Sequence, residues 1–179
     1  LKRIYGISSD ENGNVWLGGE DEFSLWRDGR LVQTWTIGGQ RRQHSFVMCL
    51  MADHKGNIWL GMEDEGVIRY DKRTGQYQRV EIGYAAPDIR ALAEDHDGTV
   101  WIGSEFGLFI WKDGKLNSED IINRLFKNDL ICSILEIDQQ RMLFTTLGRG
   151  IYILNRETND VEHLSDENGL PSYCVNHAI

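Results

Sequence analysis

The sequence lacks a basic surface, a cysteine framework and a long apolar run, and each absence excludes a class of protein. Its 19 Lys and Arg stand against 28 Asp and Glu, which gives a formal net charge of −9. Such a chain repels a phosphate backbone, and its densest basic cluster, Arg41-Arg42 with His44 nearby, is too short for a nucleic-acid footprint. We therefore expect no nucleic-acid partner.

The three cysteines, Cys49, Cys132 and Cys174, form no Cys-x-x-Cys pair, so the sequence indicates neither a zinc ribbon nor a disulfide framework. No apolar stretch is long enough to cross a bilayer, so we expect no direct membrane contact in this segment. The chain begins at Leu1 without Met or a signal peptide, and we expect it to be a piece of a longer protein.

A repeat dominates what is present. The pattern Asp-x-x-Gly-x-hydrophobic-Trp-hydrophobic-Gly occurs at residues 10–18, 53–61 and 95–103. A weaker copy at 138–144 has Arg141 in place of the turn glycine and an aromatic in place of the tryptophan. The intervals are 43, 42 and 43 residues along the series Trp16, Trp59, Trp101 and Phe144. We predict that these four side chains fill the core between repeats.

Each repeat can be divided into four short strands, with a tight turn at the glycine between the first two. Four antiparallel strands in roughly 40 to 45 residues form one propeller blade. We therefore predict an all-β fold, a β-propeller segment of four four-stranded antiparallel blades plus the first strand of a fifth. The expected bounds are about 4–37 for blade 1, 46–82 for blade 2, 89–117 for blade 3, 118–130 for an inserted loop or short helix, 131–165 for blade 4 and 173–179 for the start of blade 5.

The repeated motif, followed by Gly-Leu-Phe or Gly-Val-Ile and an aromatic residue, resembles the two-component regulator propeller repeat. The segment 166–172 resembles the usual bridge between two such repeats. The resemblance implies the periplasmic sensor region of a hybrid two-component system histidine kinase, and hence a periplasmic location and an oligosaccharide ligand. The first repeat departs from the family pattern at Glu22, where the other repeats have glycine.

Several charged motifs have both a functional and a structural interpretation. The turn Asp95-His96-Asp97-Gly98 could open a calcium loop, but its recurrence in other repeats favours a structural turn. The acidic clusters Glu20-Asp21-Glu22 and Glu63-Asp64-Glu65 could share a cation or sugar, although solvated loop charge is the favoured interpretation. The sequence has no catalytic, cofactor or metal motif, so we expect no enzymatic activity, cofactor or metal in this fragment.

A ligand would bind at the rim formed by the loops between strands two and three and by the connections between blades. Arginines and aromatics there suit an acidic or planar-faced sugar. The candidate ligand-binding residues are Arg41, Arg42, His44, Glu63, Asp64, Tyr84, Glu105, Phe106, Arg149 and Tyr173.

Three functions remain open from the sequence. The first is a carbohydrate-sensing segment of a signalling receptor, the second is a protein-interaction or assembly scaffold, and the third is a propeller enzyme that acts on glycans through carboxylates of different blades. Exposed apolar faces of the terminal blades also predict self-association. A closed four-bladed monomer is the alternative to that association.

Overall fold

The computed structural model describes residues 3–37, 44–83, 86–117, 126, 129–172 and 174–177. In this part of the chain, sixteen strands form four antiparallel sheets of four strands, each ordered as in the sequence. The prediction of four four-stranded propeller blades is confirmed. The chain divides into two compact units, Leu1–Ile89 and Arg90–Ile179.

The first unit contains blades 1 and 2. Blade 1 consists of β1 (Gly6–Ser9), β2 (Val15–Gly18), β3 (Glu22–Arg27) and β4 (Arg30–Thr36). Blade 2 consists of β5 (Val47–Ala52), β6 (Asn57–Met62), β7 (Gly66–Asp71) and β8 (Gln76–Val80).

The second unit contains blades 3 and 4. Blade 3 consists of β9 (Ile89–Glu94), whose first residue closes the first unit, β10 (Val100–Ser104), β11 (Gly107–Lys112) and β12 (Lys115–Asn117). Blade 4 consists of β13 (Ile131–Asp138), β14 (Arg141–Thr146), β15 (Gly150–Asn155) and β16 (Val161–Leu164). A single 3-10 turn, Asp166–Asn168, follows within the described residues.

The core of the first unit lies between its two sheets. Trp16 and Phe23 of blade 1 are fully buried and pack with Leu50, Leu60 and Ile68 of blade 2. The Phe23 and Tyr70 rings meet edge to face with centroids 5.3 Å apart. The burial of these aromatic and aliphatic side chains holds the blades of this unit together.

The core of the second unit is built around Trp101 and Phe144, whose ring centroids are 5.7 Å apart. Phe126 is fully buried. Its ring centroid lies 5.1 Å from that of Phe144 and 5.0 Å from that of Tyr152. The inserted loop or short helix predicted at 118–130 lies mostly outside the described residues, so it stays a prediction, but Phe126 of that segment belongs to the core.

The repeated aspartate anchors the repeated tryptophan. The indole Nε1 donates to the aspartate Oδ2 at 3.0 Å in the pair Trp16–Asp10, 2.9 Å in Trp59–Asp53 and 2.8 Å in Trp101–Asp95. The other oxygen, Oδ1, accepts backbone N–H groups of the same turn. This motif therefore forms a structural turn rather than a calcium loop.

Blade 4 departs from this arrangement, and the alignment of Phe144 with the tryptophans is wrong by one residue. Its first hairpin is shorter, because Asp138 pairs directly with Arg141. The hydroxyls of Ser104 and Thr146 make the same bond to the first residue of strand three, so Thr146 corresponds to Ser104. Trp101 precedes Ser104 in β10 by the same number of residues as Leu143 precedes Thr146 in β14. Leu143 is therefore the residue that corresponds to Trp101. Phe144 therefore occupies the opposite face of its sheet, because successive side chains of a strand alternate.

No helix among the residues that the structure describes has the length and hydropathy needed to cross a bilayer. Near the carboxyl end, Cys174 makes an isolated bridge to Leu147, while residues 175–177 have no strand assignment. The start of a fifth blade therefore stays a prediction.

Candidate functional site

Four of the ten predicted ligand-binding residues, Arg41, Arg42, Tyr84 and Tyr173, lie outside the described residues. The other six lie in the loops between strands two and three or in the connections between blades, as the repeat predicts. In each compact unit, some of these residues lie beside polar side chains that are not among the ten predicted ligand-binding residues. Two loop clusters result, one in each unit.

In the first unit, the loop between β2 and β3 pairs with the connection that leads into blade 2. The Asp21 backbone N–H donates to the Ser45 carbonyl at 2.8 Å, and the Ser45 N–H donates to Asp21 Oδ1 at 2.8 Å. His44 is thereby placed beside two acids, its Nδ1 lying 3.0 Å from Glu20 Oε1 and 3.6 Å from Asp21 Oδ2. The predicted residue His44 thus belongs to a cluster of one imidazole and two carboxylates.

The corresponding loop of blade 2 is arranged differently. Glu65 is buried and forms an ion pair with Arg79 at 2.9 Å, and the Ser45 hydroxyl also donates to its carboxylate. Asp64 is exposed, and its backbone N–H donates to Asp88 Oδ1 at 2.7 Å. The two acidic clusters of the sequence are therefore not equivalent, because the Glu65 carboxylate of the second cluster is buried and paired inside the protein.

In the second unit, the loop between β14 and β15 faces the residues that follow β16. Together they line a cavity of about 330 Å³. The lining residues are Gly148, Arg149, His163, Ser165, Asp166 and Glu167. Of the predicted ligand-binding residues, Arg149 lies in this cavity. The neighbouring loop of blade 3 presents Phe106, which is 49% exposed, next to the half-buried Glu105.

Arg149 is held in place by one carboxylate. Its Nη1 lies 3.1 Å and 3.2 Å from the two oxygens of Asp129, whose side chain is 6% exposed. The hydrogen bond to Asp129 raises the pKa of Arg149 above its usual value. Arg149 lines the cavity, and its side chain is 56% exposed, so the side chain is accessible from solvent.

His163 forms the adjacent wall. Its ring stacks on Tyr152 with centroids 4.3 Å apart and an interplanar angle of 12°. Its Nε2 lies 2.6 Å from the Arg149 carbonyl oxygen, and because a carbonyl only accepts, Nε2 carries the proton. The imidazole is therefore fixed against the loop that carries Arg149.

Gly150 allows this close approach of loop and outer strand. Its φ is +81°, and a Cβ at this position would lie 2.2 Å from the Leu164 carbonyl oxygen. A residue other than glycine would force β15 away from β16 next to the cavity.

The predicted site missed His163, Ser165, Asp166 and Glu167. The segment 166–172 resembles a bridge between repeats, and nothing in its sequence indicates that it folds against the Arg149 loop. A fixed offset from the repeated glycine could have located Arg149 and Gly150. It could not have located the residues of β16 and of the segment that follows it.

Two segments of the chain are similar to a known family of repeats. Residues 42–64 and 83–106 match the model of the two component regulator propeller. Blades 2 and 3 thus each contain a segment that matches the two-component regulator propeller repeat. No curated protein matches the sequence at a significant level.

Solved structures that resemble these propeller repeats include two extracellular domains described as hybrid two-component systems from B. thetaiotaomicron. The first is 22% identical with a TM-score of 0.69, and the match covers 97% of this chain and 23% of the other chain. The second is 21% identical with a TM-score of 0.66 and covers 92% of this chain and 24% of its own. This chain thus spans about a quarter of those domains.

A virginiamycin B lyase from Staphylococcus aureus shares the fold as well. It is 19% identical with a TM-score of 0.71, over 90% of this chain and 55% of the lyase. At this identity the likeness concerns the propeller fold alone, because one fold carries many unrelated functions.

Proposed function

We propose that this chain is part of the periplasmic ligand-sensing region of a two-component signalling receptor and that its ligand is a carbohydrate. The matched repeats and the two extracellular domains support the receptor context. The observation that carries the ligand proposal is the cavity beside Arg149, because it combines an arginine held by Asp129 with hydroxyl and carboxylate groups around one concave surface.

The polar groups of the cavity suit sugar hydroxyls. Arg149 offers guanidinium N–H donors, Asp166 and Glu167 offer carboxylate acceptors, and the Ser165 hydroxyl can do both. A hydroxyl group donates and accepts at once, so a polyol can satisfy all of these groups. A purely anionic ligand fits less well, because it would face both carboxylates and because Asp129 already neutralises Arg149.

The size of the cavity sets the length of ligand that it can hold. Its volume of about 330 Å³ lies near the lower end of the roughly 300–1,000 Å³ of small-molecule sites. It has room for a single sugar residue, so a longer glycan would extend beyond it along the exposed loop face. Binding without chemistry is the proposed role of the chain.

A glycan array tests this proposal, with the chain carrying Arg149→Ala as the site variant and Arg141→Ala as the control. Arg141 pairs with Asp138 at the first turn of the same blade, away from the cavity loop. The proposal predicts binding to a defined group of glycans that is lost in the first variant and kept in the second. An incubation with the bound glycan, followed by analysis for shortened products, would reveal an enzyme instead.

One observation favours a second candidate function, an assembly scaffold. Ile7, Leu17 and Ser24 are cross-strand partners and share the face of blade 1 that is opposite Trp16. Ile7 is 70% exposed and Trp26, two residues beyond Ser24, is 40% exposed. In blade 2 the equivalent face, with Leu50, Leu60 and Ile68, is covered by Trp16 and Phe23. The exposed Ile7 and Trp26 on this face of blade 1 therefore support the proposal that another blade packs against it.

A further inference from the structure

The cluster of His44, Glu20 and Asp21 in the first unit has the composition of a metal site. One ligand atom from each residue lies within 4.8 Å of the other two. We propose that these three side chains bind a divalent transition-metal ion of the zinc type. This proposal is independent of the carbohydrate site, which lies in the other unit and shares no residue with it.

The distances match those between ligands of a tetrahedral ion. Two atoms bound to zinc at 2.0–2.1 Å lie about 3.3 Å apart when the geometry is tetrahedral. His44 Nδ1 lies 3.0 Å from Glu20 Oε1 and 3.6 Å from Asp21 Oδ2, on either side of that value. Both distances from His44 are therefore compatible with ligands of one tetrahedral ion.

The donor set selects the class of ion. An imidazole nitrogen with two carboxylate oxygens suits zinc and related first-row ions, whereas calcium and magnesium prefer oxygen ligands throughout. Three protein ligands leave one tetrahedral position open for water or a ligand oxygen. The side chains are 60%, 36% and 32% exposed for His44, Glu20 and Asp21, so an ion has access from solvent.

The backbone positions these side chains. Asp21 has φ +59°, and the main-chain bonds of Asp21 to Ser45 and the bridge between Glu20 and Phe46 join the loop to the connection. The Ser45 N–H binds Asp21 Oδ1, which directs Oδ2 toward His44. Outer hydrogen bonds of this kind orient metal ligands in proteins and strengthen binding.

Blade 2 offers an internal comparison. Its loop carries Glu63 and Asp64, but the connection that follows supplies Asp88 rather than an imidazole. The third acid, Glu65, is buried with Arg79. The nitrogen donor thus distinguishes the blade 1 loop from an otherwise similar acidic loop, and Glu63 provides a matched control.

The test is calorimetric titration of the 179-residue chain with zinc chloride in a Cys174→Ser background, because Cys174 is an exposed thiol. Asp21→Asn keeps an oxygen for the Ser45 N–H and tolerates the left-handed backbone, so the loop remains folded while a charged ligand is lost. We expect one zinc per chain and a loss of affinity of at least about 10- to 100-fold in Asp21→Asn and His44→Ala. Glu63→Gln should bind as the parent does.

Absence of saturable binding at millimolar zinc would overturn the proposal, as would equal affinities in the parent and the His44→Ala variant. Cobalt provides a second readout. Visible ligand-field bands that disappear in Asp21→Asn support the site, whereas an intense thiolate-to-cobalt band would place the ion on a cysteine and refute it. Circular dichroism of each variant establishes that the fold is kept.

Discussion

The indole of Trp59 donates its N–H to Oδ2 of Asp53 over 2.9 Å, and both residues are buried. The same bond occurs in blades 1 and 3, so each of these blades ties its first turn to the core with one charge-assisted hydrogen bond. Blade 4 lacks the tryptophan, and its Asp138 binds Arg141 instead. This bond explains why aspartate and tryptophan recur together in the sequence.

Replacement of Trp59 should therefore act in two steps. Trp59→Phe leaves Asp53 without this donor and should lower the free energy of unfolding by about 1–3 kcal/mol. Trp59→Ala also removes the buried ring and should cost about 3–5 kcal/mol. Denaturant titration measures both values. The control Trp26→Phe, at a residue 40% exposed, should change stability by no more than about 0.5 kcal/mol.

Arg156 should contribute far more to stability than Arg141, although both form ion pairs. Arg156 is 14% exposed and lies 3.0 Å from Oδ2 of the fully buried Asp95. Arg156→Met should cost about 3 kcal/mol, because the buried carboxylate loses its counter-charge. The Arg141–Asp138 pair is exposed, so Arg141→Met should cost about 0–1 kcal/mol. Equal losses, measured by chemical unfolding, would contradict this assignment.

Acid should destabilise the first turn of blade 1. Burial raises the pKa of Asp10, but hydrogen bonds from Asn14, Trp16 and the backbone outweigh burial and bring it below the ordinary value of 3.8. A carboxyl group whose folded pKa is lowered contributes stability above its unfolded pKa, and this contribution is lost as the pH falls through the folded value. Stability should therefore decline below pH 3.8. In Trp16→Phe the decline should be shallower, which thermal unfolding across the acidic range can measure.

Gly150 should tolerate substitution much less well than Gly75, although both have positive φ. Gly75→Ala, at φ +71° with no atom within 4 Å of the added Cβ, should cost about 1–2 kcal/mol from backbone conformation alone. Gly150→Ala adds a contact of 2.2 Å to the Leu164 carbonyl. It should unfold more readily and should also disturb the Arg149 cavity. Similar melting temperatures for the two variants would refute the close approach.

The chain should self-associate through the exposed face of blade 1. Sedimentation at micromolar concentration should show a species heavier than the 20.6 kDa chain, and Ile7→Lys should shift it toward monomer because a charge enters the apolar face. The exposed Leu147→Lys serves as the control at another blade. A monomer independent of concentration would refute the association.

Much of the fold could be predicted from the sequence, because a repeat places turn glycines and core tryptophans at fixed intervals. The face of Phe144 could not be predicted, since the spacing from Asp138 to Phe144 equals that from Asp95 to Trp101. The shorter hairpin of blade 4 becomes visible only in the register of its strands. A slip of one residue moves a side chain to the other face of a sheet.

The candidate sites were predictable only in part. Loop positions follow from the repeat, so Arg149 and His44 could be named in advance. The partners of Arg149 could not, because His163 and Asp129 approach it from the outer strand and from the segment before β13. Glu65 is the opposite case. Its place in an acidic loop cluster suggests an exposed charge, but its side chain is buried and pairs with Arg79.

Carbohydrate binding at the Arg149 cavity is tested by calorimetric titration of the parent chain and of Arg149→Ala with the glycan selected on the array. We expect saturable binding by the parent and by Arg141→Ala. Arg149→Ala should bind about tenfold or more weakly, because a hydrogen bond to a charged group contributes about 1.5–3 kcal/mol. Equal binding by all three proteins, or binding by none of them to any glycan, would contradict carbohydrate binding at this cavity.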